Sequence, residues 1–272
     1  MGFSRQLLQN HLQSGIRYTD LPTSLHIFEN VPSTNQTLWD LLKQGADKNS
    51  VVIATQQTAG RGQWGREWIS PTGGLYLSVG IVPTLKASDS YQLTLASAWG
   101  IAEGLRQCGI SVGIKWPNDL VLQSRKLGGI LTETKIHNGK IIQAVIGVGI
   151  NWANSVPNTG INLQSWQLSQ STQAIYCLEM LTSTVLFGIK SGIDCLCQEG
   201  ISVLLSRYLD LLTNIGDQVY INNLLGTVVG VTSQGKLHVS FDVYDPNQIK
   251  IPEIYVEPGT ISLGYSKSSV LF

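Results

Sequence analysis

The 272-residue chain is 43% hydrophobic, and its 18 Lys+Arg balance 18 Asp+Glu. That composition excludes a disordered chain and supports a core with room for one large domain and one small one. It shows no basic surplus of the kind a nucleic-acid binder carries, so no nucleic-acid partner is expected; a local basic pocket for phosphates is compatible with zero net charge.

Residues 1 to 24 read as polar and irregular, and MGFSRQLLQN lacks the apolar stretch of a secretory leader. Gln6 breaks the myristoylation pattern. No run reaches the roughly 18 uncharged apolar residues needed to span a bilayer, so no membrane partner is expected. Ser33 to Gly45 reads as a helix, with a Ser33/Gln36 capping box and Gly45 as its stop. Val51 to Gln56 reads as a strand, a glycine-rich loop follows, and Gly74 to Val82 alternates as a second strand. Ser88 to Cys108 reads as a helix closed by Gly109. Three strand-like runs come next, Val112 to Leu122, Lys126 to Ile136 and Ile141 to Asn151. The short turns QSR and HNG between them predict antiparallel hairpins. Ser171 to Leu212 reads as helical, broken near Gly188–Gly192 and at Gly200. After Asn214 the pattern changes to short strands with glycine turns: DQVYIN, GTVVGVT, KLHVSF, IYVEPG and TISLG. The expected organisation is an α+β domain over residues 1–214, built on a mixed or antiparallel sheet, followed by an SH3-like β-barrel over 215–272.

The cysteines (Cys108, Cys177, Cys195, Cys197) read as reduced thiols of a cytoplasmic protein. The four scattered histidines predict no zinc site.

The loop QTAGRGQWGREW holds Gly60, Gly62 and Gly65 at G-x-G-x-x-G spacing. A dinucleotide-binding loop needs a following helix and an acidic residue about 20 positions on. Here Pro71 and a Gly pair follow, and Asp89 falls at a helix start, so that reading is set aside together with a dinucleotide-dependent oxidoreductase. The loop's chemistry is still distinctive. Arg61 and Arg66 offer planar donors for phosphate or carboxylate, and Trp64 or Trp68 could stack on a base. The alternative is an arginine lying on a tryptophan face at the surface. Lys115, inside an apolar strand, needs an anion (a ligand, Asp119 or Glu133) or else a solvated edge. Glycines in VIGVGINW mark close approach of a ligand or another backbone, or a bulge.

Ser33-Thr34-Asn35, QTAGRG…GREW, KWPND, KLGGIL and VIGVGIN, in that order, resemble the biotin protein ligases over about residues 27 to 265. The resemblance implies a class II synthetase-like catalytic domain. It also implies ATP-dependent biotinylation of a lysine on a biotin carboxyl carrier protein, through biotinyl-5′-AMP, with Mg²⁺ and a possible homodimer. By resemblance, Ser33, Thr34, Asn35, Gln57, Gly60, Arg61, Gly62, Gln63, Lys126, Gly129 and Gly147 bind biotin. Arg61, Arg66, Trp68, Lys115, Asn118 and Lys126 serve ATP. Arg61 and Lys126 are the catalytic pair; no resident metal ligand is implied.

Two features depart from the family. Gln63 stands where many relatives carry a second arginine, which implies easier release of the activated intermediate. Only 32 residues precede Ser33, too few for the winged helix-turn-helix of some relatives, so no operator binding is expected. The competing readings are a lipoate or octanoate ligase or transferase of the same superfamily, and a non-catalytic biotin sensor.

Overall fold

A computed structural model describes residues 3–14, 24–171, 173–241 and 253–265. In chain order the elements begin with α1 (Arg5–Ser14), β1 (Leu25–Val31), α2 (Thr34–Lys43), β2 (Val51–Gln57), β3 (Leu75–Ile81) and α3 (Tyr91–Gln107). They continue with β4 (Gly113–Lys115), β5 (Asp119–Leu122), β6 (Arg125–His137), β7 (Lys140–Ile150), α4 (Leu163–Ser169), α5 (Leu178–Gln198) and α6 (Ile201–Leu211). The last four are β8 (Gln218–Ile221), β9 (Leu224–Val231), β10 (Leu237–Ser240) and β11 (Glu253–Val256).

The first seven strands form one mixed sheet, order β1-β2-β3-β7-β6-β5-β4, with only β1 and β2 parallel. Both expected hairpin turns occur. Gln123 and Ser124 take positive φ between β5 and β6, and Asn138 and Gly139 do so between β6 and β7. The first predicted strand run divides in two at residues 116–118, and Lys115 pairs across to Asp119. One sheet face carries α2, whose Leu38 packs on Val52 and Val145. The other carries α3 and α5 over the main core. The last four strands form a separate antiparallel sheet, order β11-β10-β9-β8, matching the SH3-like expectation.

Several expectations need correction. Residues 5–14 are helical, because Leu8 and Leu12 fall on one face at i, i+4 and bury fully against the core. Residues 15–23 of the stretch read as irregular lie outside the described residues. The Ser33/Gln36 capping box does not form. Ser33 makes no side-chain cap bond, and Gln36 Nε2 donates instead to Asp40 Oδ1 at 3.1 Å. α5 runs unbroken through Gly188 and Gly192. Their four-residue spacing puts both on one face, where the α3 backbone lies so close that a Cβ on Gly100 would stand 1.9 Å from the Gly188 carbonyl oxygen. α5 is long and apolar enough by composition to cross a membrane, yet its apolar face packs against α3. The break at Gly200 does occur, at φ 85°. TISLG forms no strand; residues 261–265 run without regular structure toward the large sheet.

Candidate active site

The α2 face of the large sheet holds a pocket, and its floor follows from strand register. Lys115 pairs with Asp119, Asp119 with Gly129, and Gly129 with Gly149, forming a cross-strand row. Leu131 pairs with Gly147, and Gly147 with Ser78. Residues two apart share a face, so Gly129, Gly147 and Gly149 leave a bare strip of backbone on the pocket side. The strip is needed: a Cβ on Gly147 would lie 2.2 Å from Asn35 Oδ1, and one on Gly149 2.4 Å from Trp68 Nε1.

One wall comes from the start of α2. Gln57 Oε1 accepts from the Thr34 backbone N–H at 2.8 Å and lies 3.2 Å from Thr34 Oγ1. Ser78 Oγ stands 2.8 Å from Thr34 Oγ1 and 2.6 Å from Asn35 Oδ1. Gln57 Nε2 donates to Ser70 Oγ at 2.7 Å. These bonds are buried or partly buried and join α2, β2 and β3 into one polar framework.

The glycine loop forms the second wall. Gly62 N–H donates to the Arg66 carbonyl at 2.7 Å, and the Arg61 and Glu67 backbones form an antiparallel β-bridge. No helix follows the loop, as its sequence context implied. Arg66 lies over the Trp64 ring at 5.9 Å, the surface packing weighed as the loop's alternative role. Arg61 Nη2 pairs with Glu133 Oε1 at 3.3 Å. The Trp68 Nε1–H is buried with no hydrogen-bond partner among the described residues.

The third wall is cationic. Lys126 Nζ lies 2.7 Å from Asp119 Oδ1 and 5.2 Å from the Trp68 ring centre. The Lys126 backbone N–H donates to the Thr159 carbonyl at 2.8 Å, which steadies its strand. Lys115 is 7% exposed, its ammonium 3.9 Å from the Tyr265 ring centre and bonded to the Leu263 carbonyl. Burial holds its pKa below the ordinary lysine range, and Asp119 opposes that shift. Of the two carboxylates considered for Lys115, Asp119 is the neighbour; Glu133 faces Arg61 instead. Tyr265 Oη donates to Asp119 Oδ2, and burial raises its pKa. Asn118 Nδ2 donates to the Ile130 carbonyl at 2.6 Å.

Thus Ser33, Thr34, Asn35, Gln57, Arg61, Gly62, Gln63, Arg66, Trp68, Lys115, Asn118, Lys126, Gly129 and Gly147 all line one pocket. Gly60 is the exception. It lies beneath the loop, where a Cβ would meet the Trp68 carbonyl oxygen at 2.3 Å, so it permits the loop's fold. Gln63 receives the Tyr91 hydroxyl at 3.4 Å. The sequence reading missed Asp119 and Gly149 as lining residues, although both sit inside motifs it used. It also missed Ile261 to Tyr265, which no local pattern connects to the pocket.

A wall of amide and hydroxyl groups, a bare backbone floor and a cationic end form a site that can hold a neutral polar ring and bring anions together. Residues 27–151 match the biotin/lipoate A/B protein ligase family. The chain is 34% identical over 218 residues to the bifunctional ligase/repressor BirA of Salmonella typhimurium, covering 78% of this chain and 68% of that protein. It is 37% identical over 123 residues to the biotin–[acetyl-CoA-carboxylase] ligase of Paracoccus denitrificans, covering 44% of this chain and 50% of that one. Its fold resembles the biotin protein ligase of Aquifex aeolicus in complex with biotin and ATP, at TM-score 0.65 and 22% identity over 85% of this chain and 95% of that one. The chain belongs to the biotin/lipoate A/B protein ligase family, and the relatives it matches are biotin ligases.

Proposed function

We propose that this protein condenses biotin with ATP to biotinyl-5′-AMP and transfers the biotinyl group to a lysine of a biotin carboxyl carrier protein. The observation that carries this is that Arg61 and Lys126 line one pocket with the glycine strip, in a chain that matches biotin ligases. In the first step a biotin carboxylate oxygen attacks the α-phosphorus and pyrophosphate leaves. Two anions must approach, so fixed cations contribute more than a general base. Lys126, paired with Asp119, would touch both reacting groups as a point charge. Arg61 offers a planar fork to the same oxygens. Ser33, Thr34, Asn35 and Gln57 hold biotin's polar ring over Gly129 and Gly147. Trp68, Arg66, Lys115 and Asn118 serve the nucleotide. In the second step the carrier lysine's amine attacks the acyl carbon, loses a proton and expels AMP.

Mg²⁺ would enter with the triphosphate; Asp119 and Asn118 fit an ion that needs only one or two protein oxygens besides phosphate and water, and it would neutralise the departing pyrophosphate. The Paracoccus relative's name supports an acetyl-CoA carboxylase subunit as carrier. A homodimer would pair through the β1 edge, because the β4 edge is covered by Leu212 and Thr213. ATP as substrate and thiols without disulfides support a cytoplasmic setting.

Exchange of labelled pyrophosphate into ATP tests the reading. Exchange should require biotin, ignore lipoate and fall at least about 100-fold in Lys126→Ala, as for loss of a fixed transition-state charge. Biotin binding without exchange would mean a non-catalytic sensor.

A further inference from the structure

We propose that Glu133 is a positioning residue of this site: its carboxylate orients the Asn35 amide and tethers Arg61 of the glycine loop against the pocket wall. The inference rests on the biotin reading above and adds a group that none of its motifs contains. Glu133 lies on β6 two positions beyond Leu131, hence on the pocket face. Its Oε2 accepts from Asn35 Nδ2 at 2.9 Å and from Trp39 Nε1 at 3.1 Å. Its Oε1 lies 3.3 Å from Arg61 Nη2.

An ionised carboxylate only accepts hydrogen bonds. Asn35 therefore turns its NH₂ toward Glu133, with the Leu131 carbonyl also in reach at 3.4 Å. Its Oδ1 is left facing Ser78 Oγ and the bare Cα of Gly147. That choice matters for a cyclic urea, whose ring N–H groups need an acceptor. A flipped amide would present a donor there and leave the urea N–H groups unpaired.

The same carboxylate acts on the loop. The Arg61 side chain is 45% exposed, and its pairing with Glu133 ties the loop to the sheet. An incoming carboxylate or phosphate then exchanges one anionic partner of Arg61 for another, and the arginine need not be recruited from solvent.

Two variants of the full chain separate the two tasks: Glu133→Gln keeps a neutral acceptor for Asn35 and Trp39 but loses the ion pair, while Glu133→Ala loses both. Their melting temperatures, KM values for biotin and ATP in pyrophosphate exchange, and trypsin cleavage at Arg61 and Arg66 without ligand are compared with the parent chain. Glu133→Gln should be cleaved faster at the loop and keep its biotin KM within about twofold. Glu133→Ala should raise the biotin KM about tenfold and leave the ATP KM nearly unchanged. Parent-like cleavage and KM values would overturn the proposal. So would biotin and ATP KM values rising equally together with a lowered melting temperature, the mark of a purely structural role. A parent chain without biotin-dependent exchange would sink the biotin reading separately, and loop cleavage in Glu133→Gln would still decide the tether.

Discussion

Lys115 shows how burial sets chemistry at a single residue. Its ammonium sits against the Tyr265 ring and the Leu263 carbonyl, and desolvation lowers its pKa despite Asp119 nearby. Protonated Lys115 should grip the nucleotide, so ATP binding holds below the folded-state pKa and weakens as pH rises through it. The weakening should begin below the ordinary lysine range. Folding responds with the opposite sign. Between the folded and unfolded pKa values the unfolded chain binds more protons, so this residue makes stability rise with pH. The KM for ATP across an alkaline pH series is the measurement. Lys115→Arg, which keeps its charge, should move the alkaline limb to higher pH. An unmoved limb would assign the titration to another group. Lys115 stood out in the sequence because a charge in an apolar strand needs a partner. Which carboxylate stands beside it was decided by the turn at Trp116-Pro117, which brings Asp119 opposite.

At the scale of elements, α3 and α5 pack backbone against backbone. Gly100, Gly188 and Gly192 let the two helices meet main chain to main chain, and the shortest added-Cβ distance there is 1.9 Å. Gly100→Ala should therefore force the helices apart and cost about 3 kcal/mol, read as a lowered urea midpoint with unchanged slope. A loss of a few tenths would show that the pair slides easily. Read along the chain, Gly188 and Gly192 look like helix breakers. Glycine is read by its intrinsic helix cost, and only the partner helix shows that packing outweighs it. The early helix α1 escaped for a related reason. Its ten residues are mostly polar, and the two that bury, Leu8 and Leu12, find their partners far along the chain.

Across the whole molecule, the C-terminal sheet and the candidate active site share a junction. The Trp116 backbone N–H donates to Asn214 Oδ1 at 2.8 Å, and Trp116 Nε1 donates to the Gly235 carbonyl at 2.8 Å. The β4–β5 turn bearing Asn118 is thus fastened to the segment that leads into β8 and to the β9–β10 turn. Asn214→Ala would leave a buried N–H without its acceptor and should cost about 1–3 kcal/mol. Because Lys115 and Asn118 flank Trp116, the ATP KM should rise while the biotin KM holds. Equal change in both would mean the junction serves stability alone.

Much of the local structure, and the residue types that line the pocket, could be read along the chain. Alternation, hairpin turns and the glycine stops specified most strands and helix ends, because those preferences act over a few residues. The five motifs contain most of the lining residues, since a polar clamp, a bare strand and paired cations each need particular side chains at close spacing. Tertiary structure decided what distance along the chain conceals. It set Glu133 against Arg61, Trp39 and Asn35 across 72 to 98 positions and brought Tyr265 to Asp119 across 146. It also moved Gly60 from the pocket lining to the loop's base. Those contacts depend on strand order and on which sheet face α2 covers, and neither is written in any short stretch of residues.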